Sequence, residues 1–188
     1  SAIIPGSGRI INSQAARAGL TPPHVLYNRV PFRVTHRTYS RFWLIIPGMT
    51  QMTRLEHDLL GERDVPAEAY YGIHTLRAIE NFPITGQPIS SAPELLVALA
   101  SVKQAAAITN RELGLLDAER AAVIVAACEE IRGGALHDHF VVDVIQGGAG
   151  TSSNMNANEV IANRGLELLG HPRGAYRHLH PLEHVNMS

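Results

Sequence analysis

One stretch of the chain concentrates residues able to hold an anion: Gln146-Gly147-Gly148-Ala149-Gly150-Thr151-Ser152-Ser153-Asn154-Met155-Asn156-Ala157-Asn158-Glu159. Glycines open backbone conformations closed to other residues, and hydroxyl and amide side chains follow them where a helix would begin. Free N–H groups at such a helix start, reinforced by its dipole and by Thr151, Ser152 and Asn154, make a seat for a carboxylate or a phosphate. An ordinary glycine turn with a Ser or Asn cap accounts for the same residues. Three asparagines at two-residue spacing argue for more than a cap, because Asn inside a helix costs on the order of half a kcal/mol relative to Ala. Something besides helix stability selects Asn154, Asn156 and Asn158.

Other residue types invite other chemistries. Among ten histidines, His137 with His139, and His178 with His180 and His184, are the closest approach to a metal set. Zinc requires three or four ligands brought together, and neither cysteines nor a helical His-x-x-x-His with a suitable glutamate supports one. His180 and His184 have i, i+4 spacing, but Pro181 argues against a helix through them, so no metal is expected. Glu129-Glu130 reads as a solvated helix end, since adjacent helical residues do not face one another. Cys128 lies in the apolar run from Ala121 and reads as a buried structural thiol. As the single cysteine it excludes an intrachain disulfide framework and fits a reducing compartment.

The elements that must position these residues are mostly helical. Glu62 to Asn81 reads as extended chain and turn around Val65-Pro66, then a short helix closed off by Pro83, Gly86, Pro88 and Pro93. Pro93-Glu94 opens a long amphipathic helix with Leu95, Leu96, Leu99, Val102, Ala106 and Ile108 at three- and four-residue steps. Asp117 caps a second helix, whose apolar side is Ala121, Val123, Ile124, Ala127, Cys128 and Ile131 and whose end is Gly133-Gly134. A third runs from about Met155 to Leu169 and stops at Gly170 and Pro172, which leaves Gly150 to Asn154 in the loop ahead of it. The β-prone run Phe140 to Ile145 lies between helices.

Across 188 residues, 45% apolar and 18% charged, the composition supports one globular core. The formal charge of −1 conceals an asymmetry. Residues 1–50 hold six arginines and no Asp, Glu or Lys, so the ten basic residues that remain face 17 acidic ones and the body carries −7. Binding of a phosphate backbone by that body is not expected. Prolines interrupt the first fifty residues throughout, so residues 1–51 read as a poorly ordered leader and 52–188 as the folded domain. An acid-free, Arg-bearing leader suggests a transit peptide, but its prolines oppose the amphipathic helix such peptides need. The preferred reading is a natural start at Met49 or Met52. Phe42 to Ile46 is far too short for a membrane span.

Gly147 to Glu159 resembles the Gly-Ser/Ala-Gly-Thr-x-x-Asn-Met-Asn-x-Asn-Glu segment of the fumarase and aspartase superfamily. Tyr70-Tyr71-Gly72-Ile73-His74-Thr75-Leu76-Arg77-Ala78-Ile79-Glu80-Asn81-Phe82 resembles its aspartase form, where class II fumarases show Trp-Gly-Ala-Gln-Thr. Gly61 to Pro66, His180-Pro181 and Val185 to Ser188 extend the likeness over about residues 52–188.

The resemblance implies a mainly α amino-terminal domain of the aspartase/fumarase fold, with the first helices of the central bundle missing or incomplete. It implies conversion of L-aspartate to fumarate and ammonia by β-proton abstraction in a cytoplasmic homotetramer, without a cofactor, nucleic acid or membrane. Thr151 matches the family's substrate-contacting threonine, flanked by Gly150 and Ser152, with Asn154 in the same segment. The loop serine that takes the proton, and the substrate-binding block expected directly after Met187-Ser188, have no counterpart in these residues, so no catalytic base is assigned and the chain is expected to be inactive alone. His180 matches an accessory anion site in fumarases, but Leu182-Glu183 replaces the usual Asn-Asp, which puts that role in doubt. The alternatives are a class II fumarase fragment and a non-catalytic dicarboxylate-binding or assembly module.

Overall fold

The computed structural model describes residues 52–187; the leader expected over residues 1–51, with its transit-peptide and Met49 readings, lies outside the described residues, as does Ser188. The expected mainly α fold is what forms. A β-hairpin pairs β1 (Thr53–Asp58) with β2 (Gly61–Pro66) antiparallel, from Thr53 opposite Pro66 to Asp58 opposite Gly61. Its turn is Leu59-Leu60, closed where Asp58 Oδ1 accepts the Leu60 N–H at 2.8 Å and Gly61 takes φ +106°. Four helices follow: α1 (Ile73–Asn81), α2 (Pro93–Glu112), α3 (Ala118–Arg132) and α4 (Thr151–Leu168).

Proline at the first position of α2 and Asp117 at the start of α3, accepting from Arg120 N–H at 2.9 Å, begin those helices as expected. The face of α2 turned to the core is Leu96, Ala100, Lys103 and Ala107. Leu95 and Val102, on the apolar stripe expected to be left open without partner helices, are exposed, because the apolar residues of α2 wrap more than one face and α3 and α4 cover only part of it. Helix α3 packs against both, and α4 is buried on all sides from Met155 to Asn163, which makes it the central helix of the described domain. Gly165 permits the close packing there, since a Cβ would strike Leu179 and touch Val123. Cys128 is fully buried in this core, and burial pushes its thiol up to about 12, which fits the structural reading.

Two expectations on local structure are corrected. Phe140 to Ile145 forms no strand; only an isolated antiparallel bridge joins Pro88 to Asp143. Backbone bonds from Ile89 N–H to Val142 O and from Val144 N–H to Gln87 O, both 2.9 Å, hold the two segments together, and the Asp143 carboxylate adds bonds from the N–H groups of Thr85, Gly86 and Ile145. Pro181 does not prevent helical turning after His180: it is the first residue of a single π turn, Pro181–Val185, where its missing N–H would have had no partner. No described helix is long and apolar enough to cross a membrane.

Candidate functional site

Helix α4 starts four residues earlier than expected, at Thr151, so Thr151, Ser152 and Asn154 form its first turn instead of the loop before it. Gly150 makes this possible by adopting φ +82°, a left-handed conformation that costs other residues about 1 kcal/mol. No side chain at the cap position closes the helix. Instead Gln146 reaches forward: its Oε1 accepts the Ser153 N–H at 2.9 Å and its Nε2 donates to Ser153 Oγ at 2.8 Å. Asn154 N–H bonds within the helix to Gly150 O at 3.1 Å. The N–H groups of Thr151 and Ser152 find no partner among the described residues, and neither do their hydroxyls. Thr151 is exposed and Ser152 half-buried. The simple Ser or Asn cap is therefore not what this sequence builds. Two adjacent N–H donors and two hydroxyls stand open at the positive end of an 18-residue helix, which is the chemistry of a carboxylate seat.

The asparagines have tertiary partners. Asn156, fully buried, accepts Val141 N–H at 2.9 Å and donates to His139 O at 2.9 Å, holding the strandless segment against α4. Asn163 ties Tyr70 O at 2.8 Å, the Tyr176 hydroxyl at 3.0 Å and Gly174 N–H at 2.8 Å. Asn154 and Asn158 both donate to Asn186 Oδ1, at 3.0 and 3.1 Å. The Asn154 amide thus points to Asn186 rather than standing open beside Thr151.

Glu159, fully buried at the end of the signature, is the hub that sequence reasoning left without a role. Its two oxygens accept the N–H groups of Gly72 at 2.8 Å, His74 at 2.9 Å and Thr75 at 3.1 Å, and contact His74 Nδ1 at 2.9 Å. Glu56, from β1, accepts the Ile73 N–H at 2.8 Å. Helix α1 has no side-chain cap of its own, so two carboxylates from distant elements satisfy its opening N–H groups. The hydrogen bond to Glu159 raises the His74 imidazole above its usual range. Burial, helped by the nearby Glu159 charge, raises the Glu56 carboxyl against the opposing pull of Arg54.

His180 sits elsewhere. Its Nδ1 accepts Leu182 and Glu183 N–H at 3.1 and 3.3 Å, capping the π turn, while its own N–H donates to His184 Nδ1 at 2.8 Å. The ring borders a cleft of about 700 Å³ also lined by Glu56, Glu62, Glu183, His57 and Arg177, a mixed-charge wall that does not single out an anion. Among the described residues no three His, Cys, Asp or Glu side chains gather as metal ligands. His139 Nδ1 accepts Tyr70 N–H at 3.3 Å, and His178 stacks on His171. Glu130, expected to be solvated, grips Arg164 in a two-pronged pair at 2.7 and 2.8 Å that clamps α3 to α4.

A sequence profile of the family described as Lyase matches residues 61–188, well over half of the chain. The aspartate ammonia-lyase of Pseudomonas aeruginosa is 59% identical over 136 residues, 72% of this chain and 29% of that protein. That of Escherichia coli is 55% identical over 139 residues, covering 73% of this chain and 29% of that one. Of solved structures, a fumarate lyase:delta crystallin from Brucella melitensis superposes with TM-score 0.72 at 60% identity, over 72% of this chain and 32% of that one. The class II fumarase of Schistosoma mansoni superposes with TM-score 0.66 at 35% identity, over 72% and 28%. The chain spans under a third of the length of these relatives. With the signature seated on α4, the aspartase-like block on α1 and this breadth of likeness, the chain belongs to the fumarase/aspartase superfamily of lyases.

Proposed function

We propose that this chain is part of an aspartate ammonia-lyase and supplies the contact to a substrate carboxylate at the start of α4. The observation that carries the reading is the pair of unpartnered N–H groups of Thr151 and Ser152, with their hydroxyls, at an exposed helix start. Elimination of ammonia from L-aspartate breaks a β C–H bond, passes the electron pair toward the neighbouring carboxylate and then expels nitrogen. The carbon acid ionises only if donors meet the charge that grows on that carboxylate. Thr151, Ser152 and the α4 dipole are such donors, and Gly150 holds them open.

The base is a different matter. On this reading none of the described residues takes that role, and the base is the loop serine that the family resemblance implies. The chain alone then binds without turning over. Identity of 55–61% to aspartate ammonia-lyases, against 35% to the class II fumarase, favours aspartate over malate as the parent's substrate. The test follows fumarate absorbance with L-aspartate and, separately, with L-malate. No rate is expected from the 188-residue chain on either; turnover of L-aspartate by it would sink the idea that the base lies elsewhere. A parent protein faster with malate would move the reading to a fumarase.

A further inference from the structure

A lysine lies in the core where the periodicity of α2 calls for an apolar residue. Lys103 is only 3% exposed and follows Leu96 and Ala100 on the buried face. Its ammonium donates to Asn186 Oδ1 at 3.0 Å. That oxygen also receives Asn154 Nδ2 at 3.0 Å and Asn158 Nδ2 at 3.1 Å, so three donors from two helices converge on one acceptor beyond the π turn. Asn158 is fully buried, and its Oδ1 has no hydrogen-bond partner among the described residues, which marks this polar cluster as one that helix packing alone would not select. Asn154 stands in the first turn of α4, three residues from Thr151. Burial also lowers the Lys103 ammonium from its usual range, a cost that an apolar residue here would avoid.

We propose that Lys103 is a positioning residue for the carboxylate seat: through Asn186 it fixes the Asn154 side chain and with it the first turn of α4. The ammonium makes the bond to Asn186 charge-assisted, so the amide oxygen is held in one place while both asparagines of α4 are referred to it. Thr151 and Ser152 then present their donors along one direction before any ligand arrives. This rests on the reading of the α4 start as a carboxylate site, and adds a residue two hydrogen bonds behind it.

The test is a double-mutant cycle on the 188-residue chain, with fumarate as the probe. Binding is read from the Thr151 and Ser152 amide signals in nitrogen–proton correlation spectra. Exchange of the Asn154 side-chain amide with water is read without fumarate. Lys103→Met is expected to weaken fumarate binding about tenfold and to speed Asn154 exchange by roughly the same factor, as the charge-assisted bond to Asn186 is lost. Asn186→Ala should do likewise, and the double variant should add little, because both changes cut one link. The Asn163 side-chain amide, tied to Tyr70 and Tyr176, should not change, whereas general loosening would move it too. Unchanged Asn154 exchange in Lys103→Met, or additive effects in the double variant, overturns the proposal. If the unaltered chain does not bind fumarate, the carboxylate-site reading fails by itself, and Asn154 exchange still decides whether Lys103 sets that side chain. Should Lys103→Met not fold, Lys103→Gln is read by the same criteria.

Discussion

Thr151, in the proposed carboxylate seat, has very little packing of its own. It is exposed, and its hydroxyl has no partner among the described residues, so Thr151→Val should leave the melting temperature within about 1 °C while weakening fumarate binding about tenfold. Calorimetric titration and a thermal scan on the same samples check both halves. Glu159 is the opposite case. Glu159→Gln turns an amide N–H₂ toward donors of Gly72, His74 and Thr75 that now have an acceptor, and is expected to cost about 3 kcal/mol in a denaturant titration. A cost below about 0.5 kcal/mol would mean that the carboxylate is not what organises α1. Asp143 adds an acid limb. Burial opposes its ionisation but is outweighed by the N–H groups of Ile145, Thr85 and Gly86 and the Thr85 hydroxyl, which hold the carboxyl down at about 2. A depressed carboxyl contributes stability above its unfolded value, and that contribution disappears as pH falls through about 2. Thermal scans from pH 4 downward should show the loss, and Asp143→Asn should flatten it.

Helix α1 is the element whose stability depends most on distant groups. Its first turn is capped by Glu56 and Glu159, and His74 pairs with Glu159. A histidine raised above its unfolded value stabilises fully below that value and loses its contribution as pH rises through the folded one. Melting temperature should therefore decline as pH rises above about 6.5, and His74→Asn should remove that part of the slope. The sequence made parts of this architecture readable and hid others. Pro93, Asp117 and Gly133 announce the ends of α2 and α3 because their signals are local. The glycine turn that leads into α4 at Gly150 was readable for the same reason. The cap of α1 was not, since its acceptors lie 17 and 85 residues away in the chain. Lys103 gave no local signal, because the oxygen that receives its ammonium is 83 residues further on. The start of α4 was misplaced because Gln146, not a Ser or Asn at the cap, satisfies the third N–H.

At the scale of the whole chain, helix faces remain uncovered. Leu95 and Val102 are 42% and 58% exposed on α2, with Leu113 and Leu115 exposed beyond its end. Apolar faces of this kind belong against other helices, so the chain should self-associate, with light scattering reporting a mass above 20.4 kDa. A monodisperse monomer would count against it. The role proposed for the domain is narrower: to hold a substrate carboxylate at the start of α4 and leave proton abstraction to residues elsewhere. Titrating fumarate into the isotope-labelled chain and following its backbone amides is the most direct measurement. Saturable shifts centred on Thr151 and Ser152, lost in Thr151→Val, are expected. Shifts that instead centre on the cleft beside His180, or none at millimolar fumarate, would contradict it.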